Sequence, residues 1–457
     1  MNIAMCSTPR NVIFLSMLGL AIGACGGGSG GGSSSSAFTY TLGGTISNLA
    51  GLGLVLQLNG SNNLTVSSGS TFNFTTSLAS GSSYSVTILS QPSNPGQVCS
   101  VTNSTGTIAS NNISNIAISC TYRTGRFVFV GNGYHGGNTI SAYTSDSTTG
   151  VLTPVSGSPF TAAKPFQLTL DPVGRYLYAT HPTANSISVY GIDFSTGSLS
   201  EIAGSPFTTG TSPYKMAFTP NGSFAYVPNR TDATISAYAV NSTTGTLTQI
   251  AGSPFTTAAG PTWIAINAAG TYAYVTNQIA GVVSVYAINS ITGALTSISG
   301  SPFTAGPLPF STTLDPLGQF AFASNISSNS LSILSINSST GGLSILSTPA
   351  VGVTGPVEVT SNASGTIVYT AAVLGGGIAA HAFNRTTGVL TAITGAPFAS
   401  GVTVSELALN PARSFAYAAN TTGNVLAFSV DSITGVLTQV SGSPFAALAG
   451  TSSIAID

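Results

Sequence analysis

Charge is what this sequence has least of. Its 457 residues include nine Lys or Arg, ten Asp or Glu and three His, so charged side chains reach only 4% and the net charge is -1. An ordinary globular chain carries about a quarter. Nine basic residues scattered along the whole length make no stripe for a phosphate backbone, which excludes nucleic acid as an expected partner. Disorder driven by charge is excluded as well, because hydrophobic residues reach 42% and β-formers abound. Tryptophan occurs once and cysteine four times. The apolar run from Val12 to Ile22 is too short for a membrane span. In place of charge stand Gly, Ser, Thr and Asn, the residues of closely spaced β-turns.

Residues 1-25 read as a targeting segment: Arg10 is their only charge, and the short apolar run behind it has signal-peptide length. The run ends Ile22-Gly23-Ala24-Cys25, which resembles the lipobox of bacterial lipoproteins. That resemblance implies cleavage before Cys25, lipidation of its thiol and amino group, and residence at the bacterial cell envelope. An ordinary secretory signal with an incidental cysteine is the alternative. Residues 26-36 are all Gly or Ser, a flexible leash, so 26-37 is expected to be a linker.

From 38 to 122, short alternating runs such as Leu54-Val55-Leu56-Gln57-Leu58 and Tyr84-Ser85-Val86-Thr87-Ile88 are separated by Gly, Asn and Ser clusters, the pattern of a small β-sandwich, Ig-like in type. Cys99 and Cys120 form a candidate disulfide there, consistent with an oxidising compartment. No charged residue falls between Ala37 and Tyr122, so this segment is expected to be a spacer or an adhesive module.

From 123 to 457 one phrase recurs. Ser-Pro-Phe stands at 158-160, 205-207, 253-255, 301-303 and 443-445, with degenerate copies at Thr348-Pro349-Ala350 and Ala396-Pro397-Phe398. The prolines are spaced by 47 or 48 residues. A period of that size made of short strands predicts an all-β, seven-bladed propeller. Second strands begin near 126, 175, 223, 271, 319, 366 and 414, and inner strands near 166, 214, 262, 310, 357, 405 and 452. The first second-strand has no inner strand before it and the last inner strand has nothing after it. The two ends are therefore expected to complete one blade, which removes the free edges.

Tyr274-Val275-Thr276-Asn277, with Tyr226-Val227-Pro228-Asn229 and Tyr417-Ala418-Ala419-Asn420, resembles the YVTN-repeat, lactonase-type seven-bladed propellers, as does the recurrent Thr-Gly-x-Leu at 149-152, 196-199, 244-247, 292-295, 387-390 and 434-437. The resemblance implies a channel through the ring and, in some relatives, hydrolysis of sugar lactones such as 6-phosphogluconolactone. It places the family's activity at the channel mouth, on the Arg and His of a Pro-Arg-His phrase and a Glu after Tyr-Val-x-Asn. Here the His position holds Gln167, Lys215, Trp263, Ser311, Glu358, Glu406 and Ser453 in successive blades, and the Arg position holds Phe166, Tyr214, Thr262, Phe310, Val357, Ser405 and Ser452. Arg230 and Gln278 follow Tyr-Val-x-Asn. No blade carries the full phrase.

Among so few charges, Lys164, Lys215, Glu358 and Glu406 map to the start of inner strands, and His135, His181, Arg230 and Asp232 to loops between second and third strands. Glu358 and Glu406, from adjacent blades, are expected as a carboxylate pair with one as general base, and Lys215 as an anion holder. The alternative is that these groups pair with one another and with water in the channel. Gln167, Trp263, His135, His181 and Arg230 are candidate ligand contacts. Trp263 could stack on a sugar or simply pack, and two histidines without a third ligand specify no metal. No cofactor and no metal is expected. Two functions remain open: a scaffold at the envelope binding a small molecule, carbohydrate or protein at the propeller face, with the membrane reached through the lipid anchor, or a lactonase-type ester hydrolase.

Overall fold

Runs of five to seven β-branched, aromatic and small residues, closed by Gly- and Asn-bearing turns, leave the chain little but short antiparallel strands. The computed structural model describes residues 38-49, 53-66, 69-92, 97-122, 126-134 and 137-457. Within them every regular element longer than a turn is a strand. Cys25 and the leash lie outside the described residues.

Residues 39-122 form two four-stranded sheets and a short two-stranded pair. The sheets share a core of their own, which includes Leu54, Leu56, Leu58, Val86, Ile116 and Ile118. Cys99 and Cys120 face each other across the antiparallel strands Gln97–Thr102 and Ile113–Tyr122 and are joined as a disulfide.

Residues 126-457 form seven blades around an axis, each a sheet of at least four antiparallel strands in the order inner, second, third, outer. We number the blades by their second strands: Phe127–Asn132, Tyr176–His181, Phe224–Asn229, Tyr272–Asn277, Phe320–Asn325, Ile367–Ala372 and Phe415–Asn420. Blade 1 takes its inner strand, Ser453–Ile456, from the far end of the chain, paired antiparallel to Phe127–Asn132. Seven apolar cores, one between each neighbouring pair of blades, hold the ring. Connections between second and third strands and from outer to inner strands lie on what we call the upper face, and the inner-to-second and third-to-outer turns on the lower face.

The repeated phrases are the contacts between strands and between blades. The serine of Ser-Pro-Phe accepts a third-strand amide left free of the ladder: Ser253 Oγ from Ala237 N at 2.9 Å, and Ser301 Oγ from Val285 N at 2.8 Å. The Ser-Pro bonds are cis, and the following Phe-Thr pair re-joins the third strand as a short fifth strand, as Phe255–Thr256 does on Ile235 and Thr234. In four blades the second-strand tyrosine donates to the glycine carbonyl of Thr-Gly-x-Leu one blade on, as Tyr226 Oη does to Gly293 O at 2.8 Å. That glycine has φ 73°, and a Cβ there would stand 2.4 Å from the Phe224 ring, so both backbone and space demand glycine. The asparagine is buried and donates to third-strand hydroxyls, Asn229 Nδ2 to Thr234 and Ser236 at 2.9 Å each.

Candidate functional site

One residue near the start of each inner strand faces the axis, and in several blades a local irregularity aims it. Pro356 pairs with Ala372 and Glu358 with Ala371, so two steps along the inner strand meet one along its neighbour. The same shift precedes Glu406 and Trp263. An extra residue of this kind re-aims side chains, and here it turns them into the channel.

Glu358, Glu406 and Lys215, from blades 6, 7 and 3, converge. Lys215 Nζ forms an ion pair with Glu406 Oε1, donates to Leu168 O at 3.1 Å and lies 5.2 Å from the centre of the Trp263 ring. Glu406 Oε2 accepts the Ile454 amide at 3.1 Å, and Glu358 Oε2 the Leu407 amide at 2.5 Å. Burial raises the pKa of both carboxyls. For Glu406 the adjacent Lys215 ammonium and the Ile454 amide work against that rise. For Glu358 the Glu406 carboxylate adds to burial and lifts it well above the usual carboxyl range, against the weaker pull of Lys215 and the Leu407 amide. Of the two, Glu358 keeps its proton to higher pH.

Above this cluster three of the seven Arg positions of the resemblance are filled by rings. Phe166 packs edge-on against Tyr214 with centroids 4.9 Å apart, Tyr214 against Phe310 at 6.4 Å, and Tyr134 against Phe166 at 5.3 Å. Tyr134 is carried on the loop after Asn132 and held by its amide on Gly450 O at 2.8 Å. Burial, the Tyr214 ring and the Glu406 carboxylate push its phenol up to about 12. Arg230 lies over Tyr214 at 5.6 Å and donates to Gln278 Oε1 at 2.9 Å. These rings are half-buried and cover the upper end of the channel.

Below the cluster the channel opens. Two residues on, the same face of the inner strands carries only small side chains, among them Thr169, Thr360, Ala408 and Ala455. With Lys215, Glu358 and Glu406 they line a cavity of about 310 Å³ whose other residues, such as Leu170, Leu409 and Ile456, all lie downstream toward the lower face.

The remaining candidates are dispersed. Gln167 is buried in the inner strand of blade 2, and Trp263 is buried beneath Lys215. The expectation that His181 sits in a loop is corrected: it ends the strand Tyr176–His181, fully buried, and burial pulls its pKa below the usual imidazole value. His135 lies outside the described residues. Asp232 accepts the Thr211 amide at 2.6 Å, a loop contact, and Lys164 is exposed. Among the described residues no three His, Cys, Asp or Glu side chains gather as metal ligands. Sequence reasoning read Phe166, Tyr214 and Phe310 as the lack of arginine and missed the aromatic cover; three rings at one phase of the repeat were the available signal.

Residues 85–218, 204–311 and 309–397 match the family described as lactonase, 7-bladed beta-propeller. The chain belongs to that family. Solved structures agree on the fold. A Bacteroides uniformis protein provisionally assigned as a 6-phosphogluconolactonase is 19% identical with a TM-score of 0.64, covering 72% of this chain and 99% of its own. The periplasmic gluconolactonase of Pseudomonas aeruginosa is 18% identical with a TM-score of 0.61, covering 72% and 98%. A Lactobacillus plantarum protein gives 18%, 0.61, 73% and 99%. No curated protein matches the chain. This lactonase-family propeller thus differs from the pattern implied for its family in the two layers nearest the upper mouth: aromatic rings stand at three of the Arg positions, and a Lys-Glu-Glu cluster occupies three of the His positions.

Proposed function

We propose that this protein is an exported, lipid-anchored member of the lactonase family that binds rather than hydrolyses, with a carbohydrate or protein ligand received on the upper face. The observation that carries this reading is the aromatic cover: Tyr134, Phe166, Tyr214 and Phe310 occupy the mouth where an ester would need an arginine and a histidine. Half-buried rings are a stacking surface for a sugar or an apolar side chain. Phe166 and Phe310 carry no acid-base group, and burial raises the phenol pKa values of Tyr134 and Tyr214, which keeps them protonated and makes them poor bases. Beneath them Lys215 is already neutralised by Glu406.

A second reading, hydrolysis of a lactone or related ester, is favoured by one observation. Glu358, with its raised pKa, borders a cavity beside Lys215 and Glu406, an arrangement able to move a proton. The two readings separate in a pH-stat panel of δ-gluconolactone, 6-phosphogluconolactone and an acyl homoserine lactone. The expected result is no turnover above buffer. Turnover that Glu406→Ala and Lys215→Ala both abolish, in variants that stay folded, overturns the binding reading.

The anchor is tested separately. Cys25→Ser is expected to move the protein from the membrane fraction to the soluble fraction and to remove incorporation of labelled palmitate. A wild-type protein already in the soluble fraction and unlabelled by palmitate would leave an ordinary secretory signal as the account of residues 1-25.

A further inference from the structure

We infer that the lower half of the channel is a second binding site, built for a slim primary ammonium such as an alkylamine. It takes the ammonium head on Glu358 and the alkyl chain between the small residues below. This site lies at the opposite end of the channel from the aromatic mouth and does not depend on what that mouth binds.

Glu358 is nine-tenths buried, with 9% of its surface exposed, yet only one of its carboxyl oxygens is engaged. Oε2 accepts the Leu407 amide, and among the described residues no donor reaches Oε1. Oε1 is instead open to solvent on a cavity of about 310 Å³, where a donor supplied from outside can reach it. The sign of that donor follows from the charges around it. On the axis, Glu358 and Glu406 face Lys215 alone, two carboxylates against one ammonium. At the lower rim, outside the cavity lining, stand Arg413, which donates to Ser361 O, Asp457, which accepts the Phe127 amide at 2.7 Å, Asp171, and the ion pair of Arg385 with Asp315.

The strands packed on Glu358 bring no further charge. The inner strand of blade 5 offers Thr313, whose hydroxyl donates to Val359 O, and the second strand of blade 6 offers Tyr369, whose hydroxyl donates to Gly435 O in the neighbouring blade. With Glu358 ionised the site carries one uncompensated negative charge. A primary ammonium cancels it and brings donors in the right number and size, whereas a carboxylate would meet Glu358 and find Lys215 already taken. Walls of Thr169, Thr360, Ala408 and Ala455 leave room for an unbranched hydrocarbon chain.

Where Glu358 is still protonated, binding should release that proton, because the ammonium pairs with the ionised carboxylate. Affinity for an amine is therefore expected to rise with pH through the range in which Glu358 ionises, while the amine itself stays protonated. The test is calorimetric titration of the full-length protein with n-hexylammonium, n-hexanol and n-hexanoate at pH 6 and pH 8, in buffers of different ionisation enthalpy.

The expected result is that hexylammonium alone binds, more tightly at pH 8 than at pH 6, with proton release at the lower pH seen as a buffer-dependent heat. Glu358→Gln should weaken binding at least tenfold and remove the buffer dependence. Ala408→Phe, which fills the cavity and leaves every charge in place, should block binding. Hexanol bound as well as the amine, hexanoate bound better, or amine binding that survives both variants overturns the proposal.

Discussion

Removing residues 452-457 is expected to abolish the cooperative unfolding transition of the propeller, with loss of more than about 5 kcal/mol, which is of the order of a whole domain's stability. The segment holds the inner strand of blade 1, and its loss strips the ladder from one side of Phe127–Asn132. Ile454 and Ala455 also leave the cores that blade 1 shares with blades 7 and 2, opening cavities in both. A deleted buried isoleucine alone costs about 2–5 kcal/mol. The exposed edges of blade 1 then invite association. Thermal melting and size-exclusion chromatography read both effects. A truncated protein that melts as a monomer at the full-length temperature would mean that the ring closes some other way.

Lys215→Met is expected to destabilise the protein by about 3–5 kcal/mol at pH 7.5, the usual cost of stripping one partner from a buried ion pair. The variant leaves Glu406 and Glu358 facing each other without a counter-ion in a site where Lys215 and Glu406 expose 15% and 3% of their side chains. The pH dependence has a definite sign. Both carboxyls have folded pKa values raised above the ordinary 4.5 by burial. A group raised in this way contributes stability that is fully present below its unfolded pKa and lost as pH rises through its folded pKa. Without Lys215 both values rise further, so the deficit should nearly vanish near pH 4.5 and grow toward neutrality. Urea unfolding at pH 4.5 and 7.5 checks this. A deficit equal at both pH values would assign the loss to the methylene stem of Lys215 and its packing on Trp263 instead of to charge.

The ring was legible because every conspicuous letter of the repeat makes a contact outside its own strand. Ser253 reaches a third strand, Tyr226 reaches the next blade, and Gly293 clears space for Phe224. Residues tied in this way must recur at one spacing, and spacing is what a single sequence displays. The convergence of Lys215, Glu358 and Glu406 was legible for the same reason: one position per blade faces one axis.

The rest was hidden by burial. His181 lies in a strand covered on both faces, where the alternation that separates inside from outside disappears, so nothing in Tyr176–His181 marks its last residue as interior. The direction in which the charged cluster opens depends on side-chain size in two further layers, rings above and Thr or Ala below. That difference appears only once the strands are set side by side.

Blade 1 has a consequence for the order of events during synthesis. Its inner strand ends at Ile456 and its second strand begins at Phe127, so the two partners leave the ribosome more than three hundred residues apart. Six blades can gather as they emerge, but the ring cannot shut until residue 456 has appeared. Until then the ring is an open arc, with the edge of blade 1 uncovered.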